Sequence, residues 1–263
     1  PDRPCLIYDG NFHNACLNTR ALVMAGIADD TPDPPNGHIV RHADGRVTGM
    51  LHEDAILRAL RHLPGTAPGT WTEGLHAAMR LANSLGITGV LDPQILDHHV
   101  THYARARDAG ALTLRVSGAM MVTTKDDAAS VLSRLTALRA AHSGEMFHLH
   151  SAKFFLDGVL ENRTAALIDP YADAQGGNAP LMFPQAQIDS LFTALDAARF
   201  QIHVHCIGDA AVRAALDGFQ AARAAAARGG RGLRARTGLD HRMRLLGAHR
   251  SAHRPSWPAR TAR

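Results

Sequence analysis

The stretch FQIHVHCIGDAAV, residues 200–212, contains the pattern that determines the fold. Its first six residues predict a strand, and a helix follows from about Ala210 with Val212, Leu216 and Phe219 on one face. Gly208 and Asp209 lie between them, so the turn from strand to helix is short. The stretch therefore predicts one βα unit of an α/β fold.

The same succession of strand and helix recurs upstream, throughout residues 70–228. Strands are predicted at 87–92, 111–122 and 147–156, and helices near 70–85, 126–141 and 185–198. We expect these strands and the strand at 200–205 to be parallel neighbours in one curved sheet, with the helices outside. A closed barrel and an open doubly wound sheet both fit this pattern. No GxGxxG or GxxxxGK[ST] string follows a strand, which argues against a nucleotide site.

Residues 1–69 form a different segment, rich in loops and turns. The string HIVRHADGRVTGML, residues 38–51, predicts a hairpin with its turn at Asp44-Gly45. The three predicted regions are therefore this loop- and hairpin-rich segment, the βα units of residues 70–228, and a tail of residues 229–263.

The tail differs from the rest of the chain in charge. Residues 221–263, which begin in the last predicted helix and include this tail, hold 11 arginines and one acidic residue, Asp240, whereas the whole chain has a net charge of only +4. Because the tail has no apolar periodicity, we expect it to be irregular and not to form the next strand of the sheet. Its basic charge could bind nucleic acid, but Trp257 is its lone aromatic residue, which argues against that role.

Composition and the distribution of cysteines indicate the cellular location. No stretch approaches the roughly 20 apolar residues of a membrane span. The opening PDRPCLIYDG has no secretory pattern, and Cys5, Cys16 and Cys206 are too widely spaced for a disulfide framework. We therefore expect a cytoplasmic protein without a membrane partner. The sequence leaves homo-oligomerisation open.

Two histidines form the first candidate for chemistry. His203 and His205 would point to the same side of their strand, about 6.6 Å apart. Imidazole is a common metal ligand, and barrel enzymes place their chemistry where strands end, as this strand does at His205. The alternative is that both are hydrogen-bonded histidines of the core.

Lys153 is the second candidate, because it lies within the apolar strand that ends at Asp157-Gly158. A lysine buried there must be paired, neutral or modified, since an unpaired buried ammonium is costly. The alternative is a lysine at the strand end whose amine reaches solvent. Asp157, Glu161 and Arg163 follow it, either as substrate contacts or as a solvated turn.

These strings together resemble two signature stretches of the amidohydrolase 3 family. The stretch DGVLENRTAAL, residues 157–167, is followed by PY at 170–171 and then by HVHCIGDAAVRAALD from residue 203. HNACLNTRAL at 13–22, the stretch 25–55 and GITGVLDP at 86–93 are similar to family sequences in the same order. The branch that the chain resembles is that of N-substituted formamide deformylase.

The resemblance implies a (β/α)₈ barrel of the TIM type and hydrolysis of non-peptide carbon–nitrogen bonds in a small amide-type substrate. It also implies one or two divalent metals, commonly zinc. By resemblance, Lys153 matches a fourth-strand lysine that can be carboxylated to bridge metals, and His205 matches a fifth-strand ligand. His241 lies roughly where a sixth-strand ligand is expected. The remaining site candidates are substrate contacts: His13, Asp157, Glu161, Arg163, His203 and Asp209.

Two elements of the family pattern are not matched. These are the first-strand HxH ligand pair and the eighth-strand aspartate expected to be the general base. The sequence therefore predicts a partial barrel and leaves two main hypotheses, a metal-dependent amidohydrolase and a catalytically incompetent fragment of one.

Overall fold

Two sheets organise the described part of the chain, a four-stranded antiparallel sheet followed by a five-stranded parallel sheet. The computed structural model describes residues 3–10, 12–65, 67–172, 176–228 and 244–246, the last of these as backbone. None of the helices in these ranges has the length and apolar composition needed to cross a membrane.

The antiparallel sheet has the strand order β1-β2-β4-β3 and carries two short helices. Its elements are β1 (Leu6–Tyr8), β2 (Asn14–Leu17), α1 (Thr19–Met24), β3 (Gly37–Arg41), β4 (Val47–Glu53) and α2 (Asp54–Leu60). Strands β3 and β4 form the predicted hairpin, in which the His42 amide donates to the Arg46 carbonyl at 2.8 Å. Gly45 has φ 88°, which a side chain would disfavour. The helices bury Ala21 and Ile56 against Ile39 and Leu51 of the sheet.

The parallel sheet is built from alternating helices and strands. Its elements are α3 (Pro68–Ser84), β5 (Gly89–Ile95), α4 (Asp97–Asp108), β6 (Arg115–Met121), α5 (Ala128–Ala141), β7 (Phe147–Phe155), α6 (Gln185–Ala197), β8 (Gln201–His205), α7 (Asp209–Arg228) and β9 (Arg244–Leu246). The strands follow one another in chain order and every adjacent pair is parallel. The predicted curled sheet of a partial (β/α)₈ barrel is confirmed.

One prediction about the tail is wrong. Residues 244–246 form a three-residue strand that pairs in parallel with β8, so this part of the tail does supply the next strand. The prediction relied on apolar periodicity, whereas strand pairing needs only backbone N–H and C=O groups in an extended conformation. The rest of the tail, with its proposed irregularity and nucleic-acid binding, lies outside the described residues.

The two faces of the parallel sheet have different surroundings. On the helix side, the Phe154 ring lies 5.1 Å from that of Phe192 in α6, within the main apolar core. Successive side chains of a strand alternate between faces, so Lys153 and Phe155 lie on the opposite, inner face. In the parallel register, Lys153 pairs with His203 and Phe155 pairs with His205. The inner face of β7 and β8 therefore brings together three of the predicted site residues.

Candidate active site

Lys153 is buried on the inner face of the sheet, with 3% of its surface exposed. Its Nζ atom lies 4.1 Å from the centre of the Phe155 ring. Burial lowers the pKa of the Lys153 amine to about 8, because water no longer solvates the ammonium. Within the described part of the chain no carboxylate forms an ion pair with it. The amine therefore loses its proton at a lower pH than an exposed lysine does, and no carboxylate of the described residues pairs with its charged form.

His205 lies at the end of β8, and its ring is held by the backbone that follows β7. Its Nε2 atom is 3.0 Å from the Gly158 carbonyl oxygen. Burial lowers the pKa of His205, which favours the neutral form of the ring. Because a carbonyl oxygen can only accept, Nε2 carries the proton and Nδ1 holds the lone pair. The ring thus has a defined tautomer in which Nδ1 is the nitrogen that can accept a hydrogen bond or bind a cation.

Phe155 connects the two candidate ligands. The centre of its ring lies 5.0 Å from the centre of the His205 ring and 4.1 Å from Lys153 Nζ. The distance from Lys153 Nζ to the centre of the His205 ring therefore cannot exceed the sum of these two distances. Lys153 and His205 thus lie close together on one face, as expected. Their role as metal ligands stays a prediction. In the described ranges no group of three or more His, Cys, Asp or Glu side chains could hold a metal ion, and His241 lies outside those ranges.

Asp157 is buried and anchors the loop that follows β7. Its Oδ1 accepts from the Ile207 amide at 2.9 Å, and its Oδ2 accepts from the amides of Gly208 and Ala166 at 2.8 and 3.0 Å. Burial raises the pKa of Asp157, and the three amide donors oppose that rise. The carboxylate thus links the loop after β7 to the loop after β8. Its role as a substrate contact stays a prediction.

The other predicted contacts occupy the same loop or its edge. Asp209 begins α7, and its Oδ1 accepts from the Ile168 amide at 2.8 Å. Glu161 is exposed. The Arg163 guanidinium lies 4.6 Å from the Tyr171 ring centre and donates to the Gly176 carbonyl. His203 is buried beside Lys153. These positions leave their roles in substrate binding as predictions.

His13 reaches the site from the antiparallel sheet. Its ring centre lies 6.1 Å from that of His205, and its Nδ1 is 3.0 Å from each carboxylate oxygen of Glu53. The hydrogen bond to Glu53 raises the pKa of His13, although burial opposes it. Thr164 Oγ1 donates to Glu53 at 3.1 Å, and Asn162 Nδ2 donates to it at 3.4 Å. Sequence reasoning missed Glu53, Asn162 and Thr164, because no local pattern links residues more than 100 positions apart.

A substitution at Gly208 tests the close packing under the site. A Cβ atom there would lie 1.9 Å from the Ala166 carbonyl oxygen, which belongs to the backbone. We expect Gly208→Ala to lower the free energy of unfolding by about 2–3 kcal/mol, since the loop must move to relieve the clash. Thermal or urea unfolding measures the change. Gly74→Ala in α3 is the control, because a Cβ there meets open space and the change should be neutral or stabilising.

Comparison with known proteins places these features in one family. A sequence profile described as "Amidohydrolase family" matches residues 1–246. The chain is 26% identical over 234 residues to N-substituted formamide deformylase of Arthrobacter pascens, covering 85% of this chain and 42% of that protein. It is 28% identical over 221 residues to the exoenzymes regulatory protein AepA of Pectobacterium carotovorum, covering 83% of this chain and 47% of that protein.

Solved structures support the fold. A metal-dependent hydrolase of uncharacterised function from Pyrococcus horikoshii OT3 superposes with a TM-score of 0.59 at 21% identity, over 83% of this chain and 42% of that one. A similar protein from Pyrococcus furiosus gives 0.60 at 22% identity, over 85% and 44%. The chain spans less than half the length of the curated relatives and structures that it matches.

Proposed function

Because the chain belongs to the amidohydrolase family, we propose that it supplies Lys153 and His205 to a divalent-metal centre that hydrolyses small amides. The bond broken is a non-peptide carbon–nitrogen bond, and one water is added across it to give a carboxylic acid and an amine. The observation that carries the proposal is the buried Lys153, without a carboxylate partner among the described residues, beside His205 on the inner face of the sheet. The same proposal includes zinc as the metal and the cytoplasm as the location.

The chemistry of the two side chains fits a metal. The His205 ring donates Nε2–H to a backbone carbonyl, which is the arrangement that fixes a metal-binding histidine with its other nitrogen free for the ion. The Lys153 amine, when neutral, can add to CO₂ through its nitrogen lone pair and release a proton to solvent, giving a carbamate whose single negative charge is shared by two oxygens. The carbamate oxygens could bind zinc, as carboxylate oxygens do, whereas the protonated amine cannot.

The surrounding residues shape what the centre can do. A bound divalent ion lowers the pKa of water toward about 7 and polarises a carbonyl group. Phe155 lies against both candidate ligands, with its ring centre 4.1 Å from Lys153 Nζ and 5.0 Å from the His205 ring centre. A catalytic zinc site takes three protein ligands, so the two described here need at least one more. We propose His241 for that position.

The competing proposal is a catalytically incompetent chain. The observation that favours it is that the described residues supply two ligands and no group of three. Two ligands cannot fix the coordination geometry of a metal, so this alternative predicts weak and poorly selective metal binding.

Metal content and turnover separate the two proposals. The chain is purified with bicarbonate, loaded with zinc and dialysed, and bound zinc is measured together with hydrolysis of N-butylformamide. Near-stoichiometric zinc and zinc-dependent hydrolysis are expected, both reduced at least about 10-fold in His205→Gln. His98→Gln, at an exposed helix position, is the matched control. Retention of zinc and turnover by His205→Gln would refute the assignment, and a parent chain without turnover would establish the incompetent alternative.

A further inference from the structure

We propose that Glu53 is a positioning residue that holds the ring of His13 as a hydrogen-bonding contact for the substrate amide beside His205. The inference rests on the proposed function, which defines the substrate class. Glu53 ends β4 and His13 directly precedes β2, so both come from the antiparallel sheet. That sheet would then contribute to the active site as well as covering it.

The contacts of Glu53 are directed at the site. Both of its oxygens lie 3.0 Å from His13 Nδ1, while Thr164 Oγ1 and Asn162 Nδ2 donate to its Oε1. Its side chain is 12% exposed, and in the described ranges no lysine or arginine forms an ion pair with it. A carboxylate removed from water without a lysine or arginine partner requires hydrogen-bond donors, and here they are the His13 ring and the loop after β7.

The backbone of Glu53 is unusual for its position. Glu53 immediately precedes α2, yet its side chain makes no capping hydrogen bond to that helix. Its φ is 52° and its ψ is −126°, a conformation that a residue with a side chain rarely adopts. Strained backbone of this kind is retained where surrounding contacts demand it, and it clusters at functional sites. The strain accompanies a carboxylate that faces His13 instead of capping the next helix.

A continuous set of contacts links Glu53 to His205. Thr164 donates to Glu53 through its side chain, and its carbonyl accepts from the Gly158 amide at 2.9 Å. The Gly158 carbonyl in turn holds His205 Nε2. A Cβ on Gly158 would lie 2.1 Å from Thr164 Oγ1, so the loop is closely packed at this point. The rings of His13 and His205, whose centres lie 6.1 Å apart, are therefore joined by one network of contacts.

This arrangement gives His13 a defined role. An imidazole whose Nδ1–H is donated to a carboxylate is fixed in tautomer and orientation, with Nε2 as its other hydrogen-bonding atom. Both Glu53 oxygens approach the same ring atom, Nδ1, so the carboxylate occupies that edge of the His13 ring. A small amide bound near His205 would thus meet the His13 ring as a polar contact for its carbonyl or nitrogen.

The test combines spectroscopy with kinetics in the full zinc-loaded chain. The variants are Glu53→Ala, Glu53→Gln and His13→Gln, and the matched control is Glu145→Gln, which removes an exposed carboxylate before β7. Ring ¹⁵N spectra report the His13 tautomer with and without N-butylformamide, and thermal unfolding reports folding. We expect an Nδ1–H tautomer in the parent chain that Glu53→Ala loses, and His13 signals that shift with the amide.

The kinetic expectation is a fall in kcat/KM of about 10–100-fold in Glu53→Ala and His13→Gln, by analogy with the loss of residues that orient a ligand. Glu53→Gln keeps one acceptor and should recover part of the loss. The inference is wrong if the His13 ring signals do not shift when N-butylformamide is added, or if Glu53→Ala and His13→Gln have the same kcat/KM as Glu145→Gln. A parent chain without zinc-dependent hydrolysis refutes the proposed function, whereas the tautomer and the amide titration still decide the role of Glu53.

Discussion

Replacing Lys153 with methionine is expected to stabilise the metal-free chain by about 2 kcal/mol while abolishing its zinc binding. The pKa of the buried amine is about 8, against an ordinary value of 10.5, which corresponds to about 3 kcal/mol against the charged form. Methionine removes that cost but also loses the contact of the ammonium with Phe155, worth about 1 kcal/mol. Because burying the charge costs more than this contact contributes, the apolar side chain should favour folding.

The stability difference should depend on pH in a defined direction. The pKa of Lys153 in the folded chain is depressed, so below about pH 8 the amine is charged in both the folded and the unfolded state. In this range the full cost of burying the charge lowers the free energy of unfolding. As pH rises from 8 toward 10.5, the folded amine is neutral and the unfolded amine loses its charge, so the cost disappears. The advantage of Lys153→Met should therefore shrink over this interval. Urea unfolding in metal-free, bicarbonate-free buffer measures it.

Zinc and bicarbonate should reverse the order of stability. A ligand that binds only the folded chain adds about 2.7 kcal/mol at 100 times its Kd, and only a chain with Lys153 should receive this gain. Lys125→Met is the matched control, because the chain has two lysines and Lys125 is exposed. With ¹³C-bicarbonate, a carbamate resonance should appear in the parent and in Lys125→Met. An equal stabilisation of Lys153→Met by zinc would exclude Lys153 from the metal centre.

All but one of the alternating elements of residues 70–228 could be predicted, because each of these is long enough to show its own period. Strands β5, β6, β7 and β8 and their parallel order follow from apolar runs separated by amphipathic helices. Helix α4 was not predicted, because its sequence DHHVTHYARARD is mostly polar. A weak signal was present in Val100, Tyr103 and Ala106, which are spaced three residues apart and would share one face.

Local irregularity in β7 escapes sequence reasoning. The rings of Phe147 and Phe154 both face the helices, since Phe147 contacts Tyr103 of α4 and Phe154 contacts Phe192 of α6. Residues seven apart lie on opposite faces of a regular strand, so an extra residue must reverse the alternation. The register shift between β6 and β7 locates it near residue 150, and this places Lys153 on the inner face. A strict period of two from Phe147 would have put Lys153 among the helices.

The active-site candidates were predictable only where they share a strand pattern. Lys153 and His205 lie in recognisable strings on adjacent strands, and their pairing partners follow from the register. Glu53 gives no such signal, because a carboxylate at the end of a strand is ordinarily solvated. Its contacts with Asn162 and Thr164 arise only when the antiparallel sheet meets the loop after β7. Long-range contacts of this kind are set by tertiary packing.

Asp157→Asn is expected to lower the free energy of unfolding by about 3 kcal/mol, although it preserves the size of the side chain. Both oxygens of the carboxylate accept backbone N–H groups, from Ile207 on one side and from Gly208 and Ala166 on the other. An asparagine amide has one accepting oxygen, so its NH₂ group must face a backbone donor. A buried donor without an acceptor costs about 1–3 kcal/mol, and the charge that strengthens the remaining bonds is lost as well.

The same substitution should also weaken zinc binding, which a purely local loss of stability would not do. Asp157 precedes Gly158, whose carbonyl fixes His205 Nε2, so movement of this loop releases the ring and its tautomer. Asp44→Asn is the control, because Asp44 also accepts a backbone N–H, from Arg46, but in an exposed turn where water can replace the bond. Unfolding in urea and zinc titration below the melting temperature measure the two effects. If Asp157→Asn has the same free energy of unfolding and the same zinc affinity as Asp44→Asn, the buried carboxylate does not hold the ends of β7 and β8 together.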